Sequence, residues 1–455
     1  MSKSKKNKIK GKLKMSPTQI IAVVFAVIIL LGSILLCLPA ASRSGVSCGF
    51  LPALFTATSS TCVTGLVLFD TWTQWSGFGQ IVILCLIEIG GLGFMSMASM
   101  VIFLLRKKVG LREKMLIAQA LSVNSMDSVV RIQKWVIIGS LLIQFTGATI
   151  LFFRFLPNYG ADQAIRWGVF HAVSAFCNAG FDITGNIAPG ASLNVFNHDP
   201  VVLITIMALV VVGGLGFFVW EDVATKHSFK KFSVYTKLVL IATGVLILGG
   251  ATMFALLEWN NPGTLGPMGA SQKILNAFFQ SVTVRTAGFT SVDQGMLTDS
   301  SKAVSIVLMF IGGASGSTAG GIKVVTVLVL MLFVFNRARG KSTVTAFRRN
   351  VSYDKIMDAA TIVALVVGLA TAGAIFITAT CPVGFVDALF ETASALATVG
   401  LTAGVTTNLT IPAQIMIILF MYFGRVGILT ISLGFLTGNK AEERFRYADT
   451  NLLIG

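Results

Sequence analysis

Long apolar segments alternate with short polar segments along nearly the whole chain. Four of the apolar segments contain no charged residue over about 20 positions, and these are residues 20–38, 135–153, 238–257 and 359–377. A helix of about 20 residues crosses the roughly 30 Å hydrocarbon core of a bilayer. The pattern therefore predicts a multi-pass α-helical membrane protein.

A short motif recurs four times between the apolar segments. Each copy starts with Phe and ends with Gly ten residues later, as FTATSSTCVTG (55–65), FHAVSAFCNAG (170–180), FFQSVTVRTAG (278–288) and FETASALATVG (390–400). A second motif follows each copy, as IGGLGF (89–94), VGGLGF (212–217), IGGASG (311–316) and FGRVGI (423–428). Such self-similarity indicates a repeated structural unit. We predict four repeats, at residues 18–115, 132–236, 237–350 and 351–455.

Each repeat reads as a spanning helix (M1), a short pore helix, a glycine turn and a second spanning helix (M2). The predicted fold is thus an all-α integral membrane protein with eight crossings, its four M1–pore helix–M2 repeats in a pseudo-fourfold, potassium-channel-like arrangement. Non-helical backbone at membrane depth is tolerated only where protein or water satisfies its polar groups. Four turns that meet on a central axis fulfil this condition.

The turns have the chemistry of a cation selectivity filter. The carboxyl end of a helix favours cations, and glycine allows backbone angles that point successive carbonyl groups inward. Such carbonyl groups can replace the water shell of a monovalent ion. The predicted filter residues are Val63, Thr64, Gly65, Asn178, Ala179, Gly180, Thr286, Ala287, Gly288, Thr398, Val399 and Gly400.

Composition and charge agree with this topology. Hydrophobic residues make up 55% of the chain and charged residues 12%. The net charge of +16 is concentrated in residues 3–14, 106–134, 226–237, 337–355 and 440–446, which hold 27 of the 35 lysines and arginines. These clusters fall on alternate sides of the apolar segments, so they mark the cytoplasmic face and place both termini there. The charge predicts contact with anionic lipid or a cytoplasmic partner rather than with nucleic acid.

Enzymatic chemistry is not indicated. The three histidines, at positions 171, 198 and 227, are far apart, and the six cysteines have no metal-site or disulfide spacing. The first apolar segment is longer than the core of a signal peptide, so it is predicted to be a retained helix.

The motifs CVTGL (62–66), FCNAGF (176–181), VRTAGF (284–289), ATVGLT (397–402), STAGGIK (317–323) and FGRVG (423–427) together resemble the Trk/Ktr/HKT superfamily of potassium transporters, most of all its Ktr-type membrane subunits. The resemblance implies a bacterial cell membrane, a homodimer, and a separate cytoplasmic ring of RCK-type nucleotide-binding subunits. It also implies potassium selectivity from Gly65 and activation by sodium, with no covalently bound cofactor. Asn178 and the alanines at 179 and 287 depart from a strict TVG filter, which predicts some passage of rubidium or sodium.

A gate is predicted beneath the filter. Residues 312, 316 and 320 form a doubled GxxxG, which would suit helix packing. Five glycines with two serines and a threonine in ten residues make a poor helix interior, however, and the resemblance implies a mobile intramembrane loop at this place. The predicted gate comprises Gly312, Gly313, Gly316, Ser317, Thr318, Gly320, Gly321, Lys323 and Arg425.

Several charged residues have two interpretations. Arg425, within an apolar segment, is either a snorkelling or buried, paired arginine, or a pore-facing one that forms a barrier below the filter or pairs with gate carbonyl groups. Lys323 either pairs with the gate or starts the next half-helix. Glu391 and His171 are predicted to cap the amino ends of pore helices, with direct contact to the ion as the alternative, and Asp70 either attracts cations or is an ordinary solvated charge.

Two other functions would suit a polytopic chain. A symporter of organic solutes usually has inverted rather than parallel repeats, and a non-conducting receptor needs no repeated turn. The repeats favour passive uptake of potassium, which an interior-negative potential drives by about 2.3 kcal/mol per charge per 100 mV.

Overall fold

The structure, a computed structural model, describes residues 17–105, 126–341, 343–347 and 349–427. Nearly all of the described secondary structure is helical. The helices are α1 (Pro17–Cys37), α2 (Phe50–Thr61), α3 (Thr71–Gln74), α4 (Gly77–Leu105), α5 (Met126–Phe176), α6 (Pro200–Leu215), α7 (Phe217–Lys226), α8 (Val234–Glu258), α9 (Ala270–Thr283), α10 (Asp299–Phe310), α11 (Val324–Ala338), α12 (Tyr353–Thr380), α13 (Phe385–Leu396) and α14 (Ile411–Val426). Two short strands, β1 (Thr345–Ala346) and β2 (Arg349–Asn350), pair antiparallel.

The long apolar helices identify a multi-pass membrane protein, as predicted. Four described helices are long and apolar enough to span a bilayer, and they contain Gln19–Cys37, Trp135–Phe176, Val234–Glu258 and Tyr353–Thr380. Between 28% and 33% of each hydrophobic window is buried inside the protein, which leaves wide apolar surfaces for lipid. Three shorter apolar helices and the α6–α7 pair would complete the eight predicted crossings, and that count stays a prediction.

Two of the helices are interrupted by glycines. In α5 the backbone leaves helical geometry at Gly160 (φ 75°, ψ 165°), so a spanning helix is followed by a second helix that ends at Phe176. Between α6 and α7 the chain turns by 91° at Gly216, whose φ is 87°. The motif VGGLGF was predicted to lie in the outgoing apolar segment of the second repeat, and the break at Gly216 within it was not predicted. The positive φ of Gly216 ends α6 there and lets α7 leave at a right angle.

The helices close into a ring around four short, buried ones. Helix α4 packs on α5, α6 on α9, α10 on α13, and α14 returns to α2. The centre consists of α2, the last part of α5, α9 and α13, whose carboxyl-terminal halves are almost fully buried. Much of that buried surface is made of small and hydroxyl-bearing residues rather than large apolar ones. The fold therefore brings four helix carboxyl ends into its interior.

Candidate functional site

Each of the four central helices ends in a turn with the same unusual backbone. The turns begin with a non-glycine residue at positive φ and end with a glycine at positive φ two positions later. The pairs are Val63 (57°) with Gly65 (99°), Asn178 (60°) with Gly180 (69°), Thr286 (65°) with Gly288 (82°), and Thr398 (50°) with Gly400 (90°). A positive φ is uncommon for a non-glycine residue, above all a β-branched one. Its recurrence at four matching positions is typical of a functional backbone conformation.

The four glycines meet at one place. A Cβ atom built on Gly288 would lie 3.0 Å from the Cα of Gly180 and 3.5 Å from the Cα of Gly400. A Cβ on Gly400 would lie 2.8 Å from the Cα of Gly65. No side chain fits between these backbones, so glycine is required here for close approach as well as for its φ angle.

Carbonyl groups complete a closed ring around the glycines. Each glycine faces the carbonyl oxygen of the residue before the glycine in the next turn. A Cβ on Gly65 would lie 2.5 Å from the oxygen of Ala179, one on Gly180 2.8 Å from that of Ala287, and one on Gly288 2.6 Å from that of Val399, while one on Gly400 would overlap that of Thr64. The order runs from the first turn to the fourth and back to the first. The twelve predicted filter residues therefore lie together.

Hydroxyl groups in the central helices hold the turns in place, and the sequence analysis did not identify them. Ser59 accepts a hydrogen bond from the amide of Gly65 at 3.0 Å, and Ser394 accepts one from the amide of Gly400 at 3.1 Å. Ser174 and Thr283 instead donate to the carbonyl groups of Phe181 and Phe289. The repeated motif could have indicated them, because each lies five or six residues before a turn glycine.

Glu391 and His171 do not cap helix ends, which contradicts the prediction. Helix α13 begins at Phe385, so Glu391 lies in its middle, and its carboxyl group accepts hydrogen bonds from Thr402 (2.8 Å) and Thr406. His171 lies in the last part of α5, where Nδ1 donates to the carbonyl oxygen of Trp167 at 2.7 Å. Both pore helices start earlier than expected. Glu391 therefore fixes the loop that leaves the fourth turn.

Replacing Glu391 with alanine is expected to loosen the fourth turn. The change removes the carboxyl group that accepts from both hydroxyl groups, and a hydrogen bond contributes about 0.5–1.5 kcal/mol net, or more when its acceptor is charged. We expect a melting temperature several degrees lower and a smaller preference for potassium over sodium, measured by thermal denaturation and by flux with both cations. Glu221→Ala, an exposed acidic residue on α7, is the control and should change neither. Unchanged ion preference in Glu391→Ala would refute this role.

Residues 311–323, between α10 and α11, form a non-helical loop beneath the turns. Gly312 and Gly313 pair with the loop's far end, through Gly312 N to Ile322 O (2.9 Å) and Val324 N to Gly313 O (3.0 Å). The loop also forms backbone hydrogen bonds with the residues around the break between α6 and α7. These bonds are Ala314 N to Gly214 O, Thr318 N to Gly213 O, and Phe217 N to Gly316 O. The prediction of a broken segment rather than a packing stripe agrees with this backbone.

Thr318 and Arg425 tie the loop to the turns and to α4. The hydroxyl of Thr318 donates to the carbonyl oxygen of Phe176 at 3.0 Å. Arg425, which is only 8% exposed, donates to the carbonyl oxygens of Thr318 (2.5 Å) and Gly90 (2.6 Å). Arg425 is therefore buried and pairs with loop carbonyl groups, and its role as a barrier below the filter stays a prediction.

Near its end at residue 323, the loop packs closely against the fourth turn. A Cβ on Gly320 would overlap the hydroxyl of Thr398 in the fourth turn, and Gly321 (φ 66°) packs on Ala397. The ammonium of Lys323 donates to the carbonyl oxygen of Ala319 at 2.8 Å, and the same residue precedes α11. Both interpretations of Lys323 therefore apply. Ser317, which also belongs to the predicted gate, donates a hydrogen bond from its hydroxyl group to the carbonyl oxygen of Ala314 at 2.6 Å.

Tyr235, at the start of α8, is a further contact to the loop that the sequence did not reveal. Its hydroxyl donates to the carbonyl oxygen of Ser315 at 2.9 Å. Nothing in the local sequence marks this tyrosine, because its partner lies 80 residues away. The contact links the loop to the chain segment that follows the basic residues 226–231.

Two acidic residues near the turns have structural partners. Asp70 accepts hydrogen bonds from the amides of Thr73 (2.8 Å) and Gly190 (3.0 Å), so it caps α3 and joins two loops. Glu88 accepts from Gln144 (3.0 Å) and from the thiol of Cys177 (3.3 Å). Within the described ranges, no group of three or more His, Cys, Asp or Glu side chains could hold a metal ion.

Comparison with known proteins identifies relatives along the whole length. The model of the TrkH family, described as a cation transport protein, matches residues 2–444. The potassium/sodium uptake protein NtpJ of Enterococcus hirae is 38% identical over 447 residues, which cover 97% of this chain and 98% of that protein. The Ktr system potassium uptake protein B of Bacillus subtilis is 39% identical over 452 residues, covering 99% of each.

A solved structure has the same fold. The crystal structure of the potassium transporter TrkH from Vibrio parahaemolyticus superimposes with a TM-score of 0.69 and covers 94% of this chain and 86% of that one. Its sequence is 17% identical, so it supports the architecture alone. The family match and the two relatives confirm the resemblance found in the motifs, and they show that the chain belongs to a family of cation transporters, not of enzymes.

Proposed function

The chain belongs to the TrkH family of cation transport proteins, and from this premise we propose that it is the pore-forming subunit of a potassium uptake system. The four turns are its selectivity filter, and residues 312–321 with Lys323 and Arg425 are its gate. The observation that carries the proposal is the closed ring in which every turn glycine faces a carbonyl oxygen of the next turn.

The ring supplies what a dehydrated monovalent cation needs. Backbone carbonyl oxygens from four directions replace the water shell of the ion. The four helix carboxyl ends behind them contribute partial negative charge. Positive φ angles at Val63, Asn178, Thr286 and Thr398 give the four turns the same backbone conformation, and the proposed filter requires that this conformation direct successive carbonyl groups inward. Potassium then moves inward down its electrochemical gradient.

Potassium is the favoured ion on two grounds. The relatives named above are potassium or potassium/sodium uptake proteins, and Gly65 leaves the first turn free of a side chain. The turns are not identical, because Asn178 directs its amide towards Thr286 and its carbonyl oxygen accepts from Thr318. A filter of unequal turns discriminates less sharply, so rubidium should pass and sodium should pass to a smaller extent.

The loop between α10 and α11 controls access from below. It lies directly under the turns, and Arg425 places a positive charge and two hydrogen bonds at the same level. A cation leaving the filter would meet both the loop and this charge. Opening therefore requires the loop to separate from Thr398, the α6–α7 break and Arg425.

Regulation by a cytoplasmic partner fits the surface charge. The basic clusters 226–237 and 337–349 flank α7, α8 and α11, which adjoin the loop. The resemblance to Ktr-type membrane subunits implies a homodimer that binds a separate ring of RCK-type nucleotide-binding subunits, with sodium as an activating ion. Both termini then lie in the cytoplasm of a bacterial cell.

The proposal is tested by ion flux into liposomes that contain the purified protein. Potassium and rubidium should enter in response to an interior-negative potential, and sodium should enter more slowly. An organic solute moving with sodium would favour a symporter, and absence of flux for every cation, with and without a nucleotide-binding partner, would favour a receptor. Either outcome would overturn the proposal.

Tyr235→Phe is expected to raise potassium flux about fivefold. The change removes only the hydroxyl that holds Ser315, and one neutral hydrogen bond contributes about 1 kcal/mol net. Tyr422→Phe is the matched control, because its hydroxyl also donates to a backbone carbonyl, that of Ala22, but joins α14 to α1 away from the loop. Equal flux in both variants would show that Tyr235 does not hold the gate closed.

A further inference from the structure

The third turn has a charged residue where the other three have small ones. Three positions before the turn glycine, the residues are Cys62, Cys177, Arg285 and Ala397. All four are buried, and Arg285 is only 8% exposed. A guanidinium group is thus placed behind the proposed filter, inside the membrane.

Arg285 lines a small cavity between α6, α8, α9 and the gate loop. The cavity has room for about one water molecule or one monatomic ion. Its other lining residues are Asn178, Val210, Val211, Gly214, Thr243, Val282 and Gly313. None of them is acidic. In the described part of the chain, Nε of Arg285 has no hydrogen-bond partner, and none of the ion pairs includes this arginine.

The corresponding place behind the second turn contains a carboxylate. There Cys177 packs against Gly91 and contacts Glu88, the residue before IGGLGF. Behind the third turn, Arg285 lies beside Gly214, and the residue before VGGLGF is Val211. Behind the second turn, Glu88 is acidic and the residue it contacts, Cys177, is not basic. Behind the third turn, Arg285 is basic, and the position equivalent to Glu88 is the uncharged Val211.

We propose that this cavity binds a small monovalent anion such as chloride, which neutralises Arg285. A buried charge without a partner is strongly destabilising, and guanidinium offers five donors for an anion. Asn178 and Thr243 line the same space, and the Thr243 hydroxyl and the Asn178 amide hydrogen that is not directed at Thr286 offer further donors. The anion also cancels a positive charge that would otherwise repel cations in the adjacent filter. The anion site adjoins the proposed cation pathway, because Asn178 of the filter and Gly313 of the gate belong to its lining.

The direct test uses halides and the full-length protein. Crystals of the protein are grown in bromide, with potassium held constant, and anomalous scattering from bromide is measured. The expected result is one bromide peak beside the guanidinium of Arg285. The melting temperature should also be a few degrees higher in chloride than in gluconate, because an anion that binds only the folded state stabilises it. A cavity that holds only water would show no peak and no chloride dependence, which would overturn the proposal.

Two variants make the test specific. Arg285→Gln should lose the chloride dependence of melting, and Val211→Glu should also lose it, because a carboxylate at that position replaces the anion. Arg166→Gln, which removes an exposed arginine paired with Asp162, should keep it. If Val211→Glu retained the full chloride effect, the proposal would fail even if Arg285→Gln did not fold. Potassium flux is measured separately, so an absent anion site leaves the proposed transport function untouched.

Discussion

Gly400→Ala is expected to reduce potassium uptake by at least about 30-fold. Alanine at φ 90° costs roughly 1–3 kcal/mol in backbone strain, and crowding a packed site costs roughly 1–3 kcal/mol more. The new methyl group would overlap the carbonyl oxygen of Thr64 and approach the Cα of Gly65. A combined cost of about 2 kcal/mol already corresponds to 30-fold. The measurement is rubidium or potassium uptake per molecule of protein in liposomes.

The matched control lies four residues away. Gly404 has nearly the same φ, 88°, but a Cβ there would meet nothing within 4 Å. Gly404→Ala therefore imposes the backbone strain without closing the ring, and uptake should stay close to that of the unmodified protein. If both variants lost activity equally, strain in the outer loop rather than the geometry of the ring would explain the effect.

Arg425→Gln is expected to raise potassium flux about tenfold. The substitution removes the positive charge below the filter and weakens the bonds to the carbonyl groups of Thr318 and Gly90. Hydrogen bonds to charged groups contribute about 1.5–3 kcal/mol, and a loss of about 1.4 kcal/mol in the closed state changes the open fraction tenfold. Selectivity between potassium and sodium should not change, because the four turns are unaltered.

Arg43→Gln is the control variant, because it removes an arginine that donates to a backbone carbonyl group but lies away from the gate. Arg43 also donates to a backbone carbonyl, that of Trp72, but it lies on an exposed loop and stacks on the Trp72 ring. Potassium flux through Arg43→Gln should equal that of the unmodified protein. Unchanged or lower flux in Arg425→Gln, with normal protein abundance, would contradict the role of Arg425 in holding the gate closed.

The repeated motif made the four turns predictable. Their glycines are separated by 115, 108 and 112 residues and occur in matching contexts, so the sequence reveals that the turns are equivalent. The density of glycine in residues 312–321 likewise predicted the break between α10 and α11. Arg425 was recognisable because a charge inside an apolar segment needs a specific partner.

Other features depend on tertiary contacts that no local pattern reveals. The role of Glu391 was misjudged because no polar cap marks the start of α13, and Gly384 precedes that helix instead. The break at Gly216 was missed because the apolar pattern continues across it. Tyr235 meets Ser315 only after α8 packs beside the loop. Such contacts are determined by how the helices pack, not by their own sequences.

The most direct test of the selectivity filter is to locate the ion. An experimental structure of the protein in rubidium, with anomalous scattering measured at the rubidium edge, should place rubidium on the axis between Gly65, Gly180, Gly288 and Gly400, surrounded by carbonyl oxygens of the four turns. Exchange for potassium should remove the anomalous peak and leave ordinary density at the same position. Rubidium bound elsewhere, with the four glycines apart or the axis closed by side chains, would contradict the proposed filter.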